Sequence, residues 1–216
     1  MRTVSSNRGG FTLVEVLVAT AILAILLGAV GITVLHGKEN FRQGVTASVL
    51  DARGRRVLER MVTEIQGAQG AALNPNPLPP LGSSTLQFRV CNGYDGVAQI
   101  WGPLSQIQLV DDTREPVDGV DNDGDGMVDE ARVVLVRDVG GAGQVQVTLA
   151  HNVARRLEGE TANAADDNGN GLVDEAGLSF AIDGNMTLTI RLSLGARDPR
   201  GRTLVRTVQT AVHMRN

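Results

Sequence analysis

The sequence predicts an α+β fold: a long N-terminal transmembrane helix packed on an antiparallel β-sheet domain. Three observations predict it. Residues 11–35 are almost wholly apolar, and residues 47–65 keep an apolar stripe at helical spacing (Ala47, Leu50, Gly54, Val57, Leu58, Met61, Ile65). After a break rich in Pro, Gly and Asn at residues 69–84, the apolar period falls to two. A chain of 216 residues has room for one globular domain beside the apolar segment.

The first ten residues, MRTVSSNRGG, carry Arg2 and Arg8 and no acid. The next segment reads FTLVEVLVATAILAILLGAVGITVL, and after Glu15 about twenty residues pass without a charge, enough for a helix to cross a bilayer core. The positive charges before the span place residues 1–10 in the cytoplasm and the C-terminal bulk on the far side. A secretory signal peptide has a shorter apolar region ending at a small-residue cleavage site, and that pattern is missing. A plain signal anchor leaves Glu15 unexplained. A charge at that depth costs about 2.5–3.5 kcal/mol on insertion scales, and acids so placed are usually paired or functional.

The segment RGGFTLVEVLVATAIL is similar to the N-terminal signature of type IV pilins and type II secretion pseudopilins. The resemblance implies that a prepilin peptidase cuts after Gly10, that the new terminal residue Phe11 is N-methylated, and that the chain joins other pilins or pseudopilins in a filament. The family's glutamate at the fifth mature position maps onto Glu15, which on this resemblance pairs with the Phe11 ammonium of a neighbouring subunit and sets register. An amine buried among apolar helices needs such a partner, because a charge pair is far stronger in a low dielectric and an unpaired member is costly. The implied location is the inner membrane, single-pass, with the C-terminal domain in the periplasm or outside the cell.

The expected organisation is a leader at 1–10, a transmembrane assembly helix at 11–35, its amphipathic continuation at 36–68 and a β-rich domain at 69–216. The helix is expected from about residue 11 to about 67, as one piece or as two joined near Gly37 or Gly44. Its end, RRVLERMVTEIQGA, resembles the same region of J-type minor pseudopilins and W-type minor pilins. The later run of LAHNV, GLSFAIDGN, a paired-strand hairpin and VHMRN resembles their ending. Strands are expected at 85–90, 98–101, 106–110, 132–137, 144–149, 178–182, 186–194 and 203–214, the last two with one wet face each.

Two acidic loops, 118–130 (DGVDNDGDGMVDE) and 163–175 (NAADDNGNGLVDE), align without a gap. The spacing D-x-D-x-D-G suits calcium: side chains at alternate positions converge, and the glycine permits the sharp turn. Candidate ligands are Asp121, Asp123, Asp125, the Met127 carbonyl, Asp129 and Glu130 in the first loop. Their counterparts are Asp166, Asn168, Asn170, Leu172, Asp174 and Glu175. The first loop resembles EF-hand and thrombospondin type 3 calcium loops, but Arg132 stands where an EF-hand has its bidentate glutamate. Glu130 or Asp118 would complete the shell. The expected role of calcium is structural. The competing reading is a plain Asp/Asn/Gly turn, since these residues favour turns without a metal.

Other classes find little support. A formal net charge of −4, with 3% aromatic residues, argues against direct nucleic-acid binding. The histidines His36, His151 and His213 are scattered, and no catalytic motif is present, so an enzyme is not expected. The single cysteine, Cys91, is expected to be a small buried apolar residue. The expected function is therefore a minor pseudopilin of type II secretion that helps to start assembly near the filament tip. The alternatives are a minor pilin of a type IV pilus, serving adhesion, motility or DNA uptake, and a membrane-anchored calcium-binding surface protein.

Overall fold

The computed structural model describes residues 10, 12–75, 78, 82–183, 185–198 and 200–214. One long helix, α1 (Leu13–Ile65), precedes nine strands among the described residues. They are β1 (Thr85–Phe88), β2 (Cys91–Tyr94), β3 (Gln99–Trp101), β4 (Ser105–Asp111), β5 (Ala131–Arg137), β6 (Val145–Val153), β7 (Leu178–Ile182), β8 (Thr187–Arg197) and β9 (Thr203–His213). The chain divides into two compact units, Met1–Gln43 and Gly44–Asn216.

In the first unit every described side chain from Leu13 to Leu35 is exposed, the large aliphatics among them. The helix runs unbroken through Gly28, Gly31, Gly37 and Gly44, so none of these glycines ends it. By length and composition this segment is the candidate membrane span.

In the second unit α1 buries Leu50, Gly54, Leu58, Met61 and Ile65, all from the stripe seen in the sequence. These residues join the core beneath the sheet with Phe88, Ile107, Leu135, Phe180, Ile190 and Leu192. Gly54 permits the close approach: a Cβ there would lie 2.5 Å from Val208 Cγ2 on β9. The helix stops where Gly67 meets Val90 and the Cys91 amide donates to the Gly67 carbonyl at 3.1 Å.

The main sheet is antiparallel throughout, in the order β1-β4-β5-β6-β8-β7, with β9 paired to β8. Leu192 of β8 pairs with Leu178 of β7 and Val208 of β9, so β7 and β9 lie on opposite edges of β8. The sheet curls until its ends meet. Ser83, just ahead of β1, exchanges two backbone hydrogen bonds of 2.8 Å with Phe180 of β7. Joining the ends in this way gives backbone groups at that edge internal partners.

Three expectations are corrected. Cys91 is exposed, not buried, because it belongs to β2, which among the described residues pairs only with β3 in a separate two-stranded hairpin exposed on both faces. The strand expected at 85–90 ends at Phe88, ahead of this hairpin. The wet face expected along β8 holds only from Thr187 to Arg191. Ser193 is fully buried because the segment at Glu158 crosses that face, where the Glu158 amide donates to Ser193 Oγ at 3.2 Å.

Candidate functional site

Thr12 and Glu15 form a reciprocal cap at the start of α1. The Thr12 backbone N–H and its hydroxyl both donate to Glu15 Oε2, at 2.8 and 2.9 Å, while the Glu15 N–H donates back to Thr12 Oγ1 at 3.2 Å. This is the S/T-x-x-E capping box, which satisfies amides that a helix start otherwise leaves open. Such satisfaction matters most where no water can supply it. Gly10 is exposed, and a Cβ there would meet nothing within 4 Å. The sequence reading also assigns roles to residues 1–9 and Phe11, which lie outside the described residues.

The first acidic loop fills the connection from β4 to β5. Asp121 accepts the Gly124 and Gly126 amides at 2.7 and 2.9 Å, Asp123 the Asp125 amide at 3.2 Å, and Asp125 the Met127 amide at 2.9 Å. Gly126 turns the chain at a φ of +92°, a conformation that glycine adopts without steric cost. The turn brings one oxygen each of Asp121, Asp123 and Asp125 within 4.8 Å of one another. Asp123 also forms such a group with Glu115 and Glu130. Met127 packs its side chain against Gly195. Asp129 takes a left-handed φ of 55° and accepts the amides of Asp118 and Gly119 at 2.9 and 3.0 Å, so its carboxylate closes the loop.

Glu115 is the residue that sequence reasoning missed. It is fully buried and accepts the Asp123 amide. Its Oε2, like the Oε2 of the nearly buried Glu130 and of Glu175 in the second loop, has no hydrogen-bond partner among the described residues. Burial raises the Glu130 carboxyl above its ordinary range, and the charges of Asp125, Glu115 and Asp123 add to the effect. A signal for Glu115 was present in the sequence. The offset of 45 residues that aligns Asp121 with Asp166 also aligns Glu115 with Glu160, six residues upstream of each.

The second loop repeats this construction with different chemistry. Glu160 accepts the Asn168 and Asp174 amides at 3.0 and 3.1 Å, and Asp166 accepts those of Gly169 and Gly171 at 2.7 and 2.8 Å. Asn168 Oδ1 accepts the Asn170 amide and Asn170 Oδ1 that of Leu172, at 3.1 and 2.9 Å. Asp174, with a φ of 53°, closes its loop as Asp129 does, accepting the amides of Asn163 and Ala164. The Asn170 amide nitrogen donates to Glu175 Oε1 at 2.7 Å. Consecutive arginines brace the two loops: Arg155 donates to the Asp129 carbonyl and Arg156 to the Asp174 carbonyl.

Beside the first loop, Asp112 is buried between Arg114, 3.3 Å away, and His151 Nδ1, 2.8 Å away. Burial pushes its carboxyl up, but the hydrogen bonds from Arg114 and His151 outweigh this and hold it well below the usual carboxylate range. A depressed native value stabilises the fold above the unfolded pKa of about 3.9, and that stability is lost as pH falls through the native value. Asp112→Asn is expected to lower stability by about 1.5–3 kcal/mol at pH 7, the usual worth of hydrogen bonds to a charged group. The gap between variant and parent should shrink as pH drops below about 4. Thermal melts of both chains across pH would measure it.

Residues 5–31 match the Prokaryotic N-terminal methylation motif, and α1 begins inside that stretch. No curated protein and no solved structure matches the chain at a significant level. The matched motif supports a type IV pilin-like subunit that is processed by a prepilin peptidase and assembles with other pilins through its N-terminal helix. Together with the single long apolar helix, it is consistent with membrane anchoring.

Proposed function

We propose that this chain is a minor pilin-like subunit of a type II secretion pseudopilus, cut after Gly10, methylated at Phe11 and built into the filament through α1. The observation that carries the subunit reading is the coincidence of the methylation motif with a helix that leaves its aliphatic side chains exposed from Leu13 to Leu35. Only lipid or other apolar helices can cover such a surface without a large cost, and a pilin-like subunit passes from one to the other. Glu15 is the one acid in that stretch and stands in the first turn of the helix, where it can reach a terminal amine on a neighbour. The leader faces the cytoplasm, and the sheet domain lies in the periplasm or beyond it. The protein is a structural subunit, not a catalyst.

The secretion reading is supported by the resemblance of residues 55–68 to J-type minor pseudopilins, without excluding the pilus. The same stretch resembles W-type minor pilins, so a minor pilin of a type IV pilus is the second reading. Mass spectrometry of the native protein is expected to find an N-methylated Phe11 at its start. A chain that keeps Met1 would instead be a plain membrane-anchored protein. Deleting the gene is expected to stop release of secreted proteins while leaving pili intact. The reverse outcome assigns the protein to the pilus.

A further inference from the structure

We propose that the first acidic loop is a calcium site built on two buried glutamates, Glu115 and Glu130, with Asp121, Asp123 and Asp125, and that the second loop is its hydrogen-bonded, weaker counterpart. Independent observations point to the ion. Among the described residues, Glu115 Oε2 and Glu130 Oε2 are buried acceptors without a donor, and an unpaired buried acceptor costs about 1–3 kcal/mol, more when it is charged. These two residues also bring carboxylate oxygens within 4.8 Å of one from Asp123. A cation satisfies acceptors gathered in this way and removes their mutual repulsion.

The donor set, all oxygen and mostly carboxylate, favours a hard cation such as calcium. Calcium binds oxygens at about 2.3–2.6 Å, so two of its ligands stand at most about 5 Å apart. Magnesium, at about 2.0–2.1 Å, holds its ligands within about 4 Å and demands a strict octahedron. Carboxylates carried on an irregular loop suit calcium's adaptable oxygen shell better than magnesium's strict octahedron. Arg114, 3.6 Å from Asp123 and about half exposed, offsets part of the local charge from the solvent side.

The second loop keeps the same frame with less ligand charge. Asn168 and Asn170 stand where the first loop has Asp123 and Asp125, which removes two negative charges. The Asn170 amide donates to Glu175 Oε1, whereas Glu175 Oε2, like Glu130 Oε2, is buried without a partner among the described residues. Affinity follows the ligands' charge count, so this loop should bind calcium more weakly. An ion in the first loop would tie the end of β4 to the start of β5 across a connection, residues 112–130, that has no strand or helix of its own.

The test is a calorimetric titration of the full chain in detergent micelles, stripped with EDTA and then supplied with calcium chloride, alongside thermal melts. The expected result is one tight site, a raised melting temperature and a much smaller response to magnesium chloride. Glu115→Gln and Glu130→Gln should each weaken the tight site at least tenfold, while Asp166→Asn in the second loop leaves it unchanged. The parent titration needs no variant, so poor folding of a glutamine variant does not blunt the test. Absence of both heat and melting shift in the parent chain would overturn the proposal. So would equal binding of magnesium, or a tight site that survives in the glutamine variants or vanishes with Asp166→Asn.

Discussion

A Gly10→Ala chain is expected to remain in the membrane at its uncut mass and to be missing from filaments, whereas a Glu15→Val chain is cut and still fails to enter them. Gly10 is exposed and a Cβ there touches nothing within 4 Å, so the alanine leaves the described fold unchanged. A block in processing would therefore report on recognition by the peptidase. Glu15→Val removes the only acid near the start of the helix and makes the segment more apolar, so insertion should improve if anything. In the filament, however, it would leave the terminal amine of a neighbour buried without a partner. Losing one member of a buried ion pair costs about 3–5 kcal/mol, which corresponds to at least about a hundredfold loss of incorporation. Valine also breaks the Thr12–Glu15 cap, a smaller cost of about 0.5–2 kcal/mol. Immunoblots of membrane and sheared-filament fractions separate the two variants. Wild-type amounts of Glu15→Val in filaments would end the ion-pair account.

The second large effect is on folding. Gly177→Ala is expected to destabilise the sheet domain by about 3 kcal/mol or more, the upper range for forcing atoms into a packed site. An alanine Cβ there would lie 1.6 Å from the Ala154 carbonyl oxygen and 2.8 Å from its carbon. Both are backbone atoms, so no side chain can rotate away to make room. The glycine is also held on both sides: its N–H donates to the Arg155 carbonyl at 3.0 Å, and its carbonyl accepts the Ser193 amide at 2.8 Å. Moving it would pull on the segment whose arginines brace both acidic loops. Chemical denaturation of the full chain should show an earlier transition for the sheet domain. A transition at the parent midpoint would mean that this close approach does not exist in solution.

Much of the fold can be read from consecutive residues. The stripe from Leu50 to Ile65 is the face that α1 buries, and β7 spans the residues 178–182 expected of it. The alternation in MTLTIRLSL places Leu188, Ile190 and Leu192 in the core. The D-x-D-x-D-G spacing anticipated that Asp121, Asp123 and Asp125 would converge. Each of these signals is local, because helix period, strand period and turn chemistry are set by neighbours along the chain.

Contacts between distant segments were not legible in this way. Tertiary structure leaves Cys91 exposed on a hairpin outside the main sheet, although its chemistry favours burial. It closes the curl by joining Ser83 to Phe180, and it buries Ser193 by laying Glu158 across β8. It also brings Glu115, six residues ahead of the recognised loop, against Asp123 and Glu130. The sequence alone therefore determined the membrane-length helix, its processing motif and the turn chemistry of the acidic loops, since these depend on residues adjacent in the chain. Only the tertiary structure decided which carboxylates share a buried space and which faces stay wet, because burial arises when segments far apart in sequence exclude water between them.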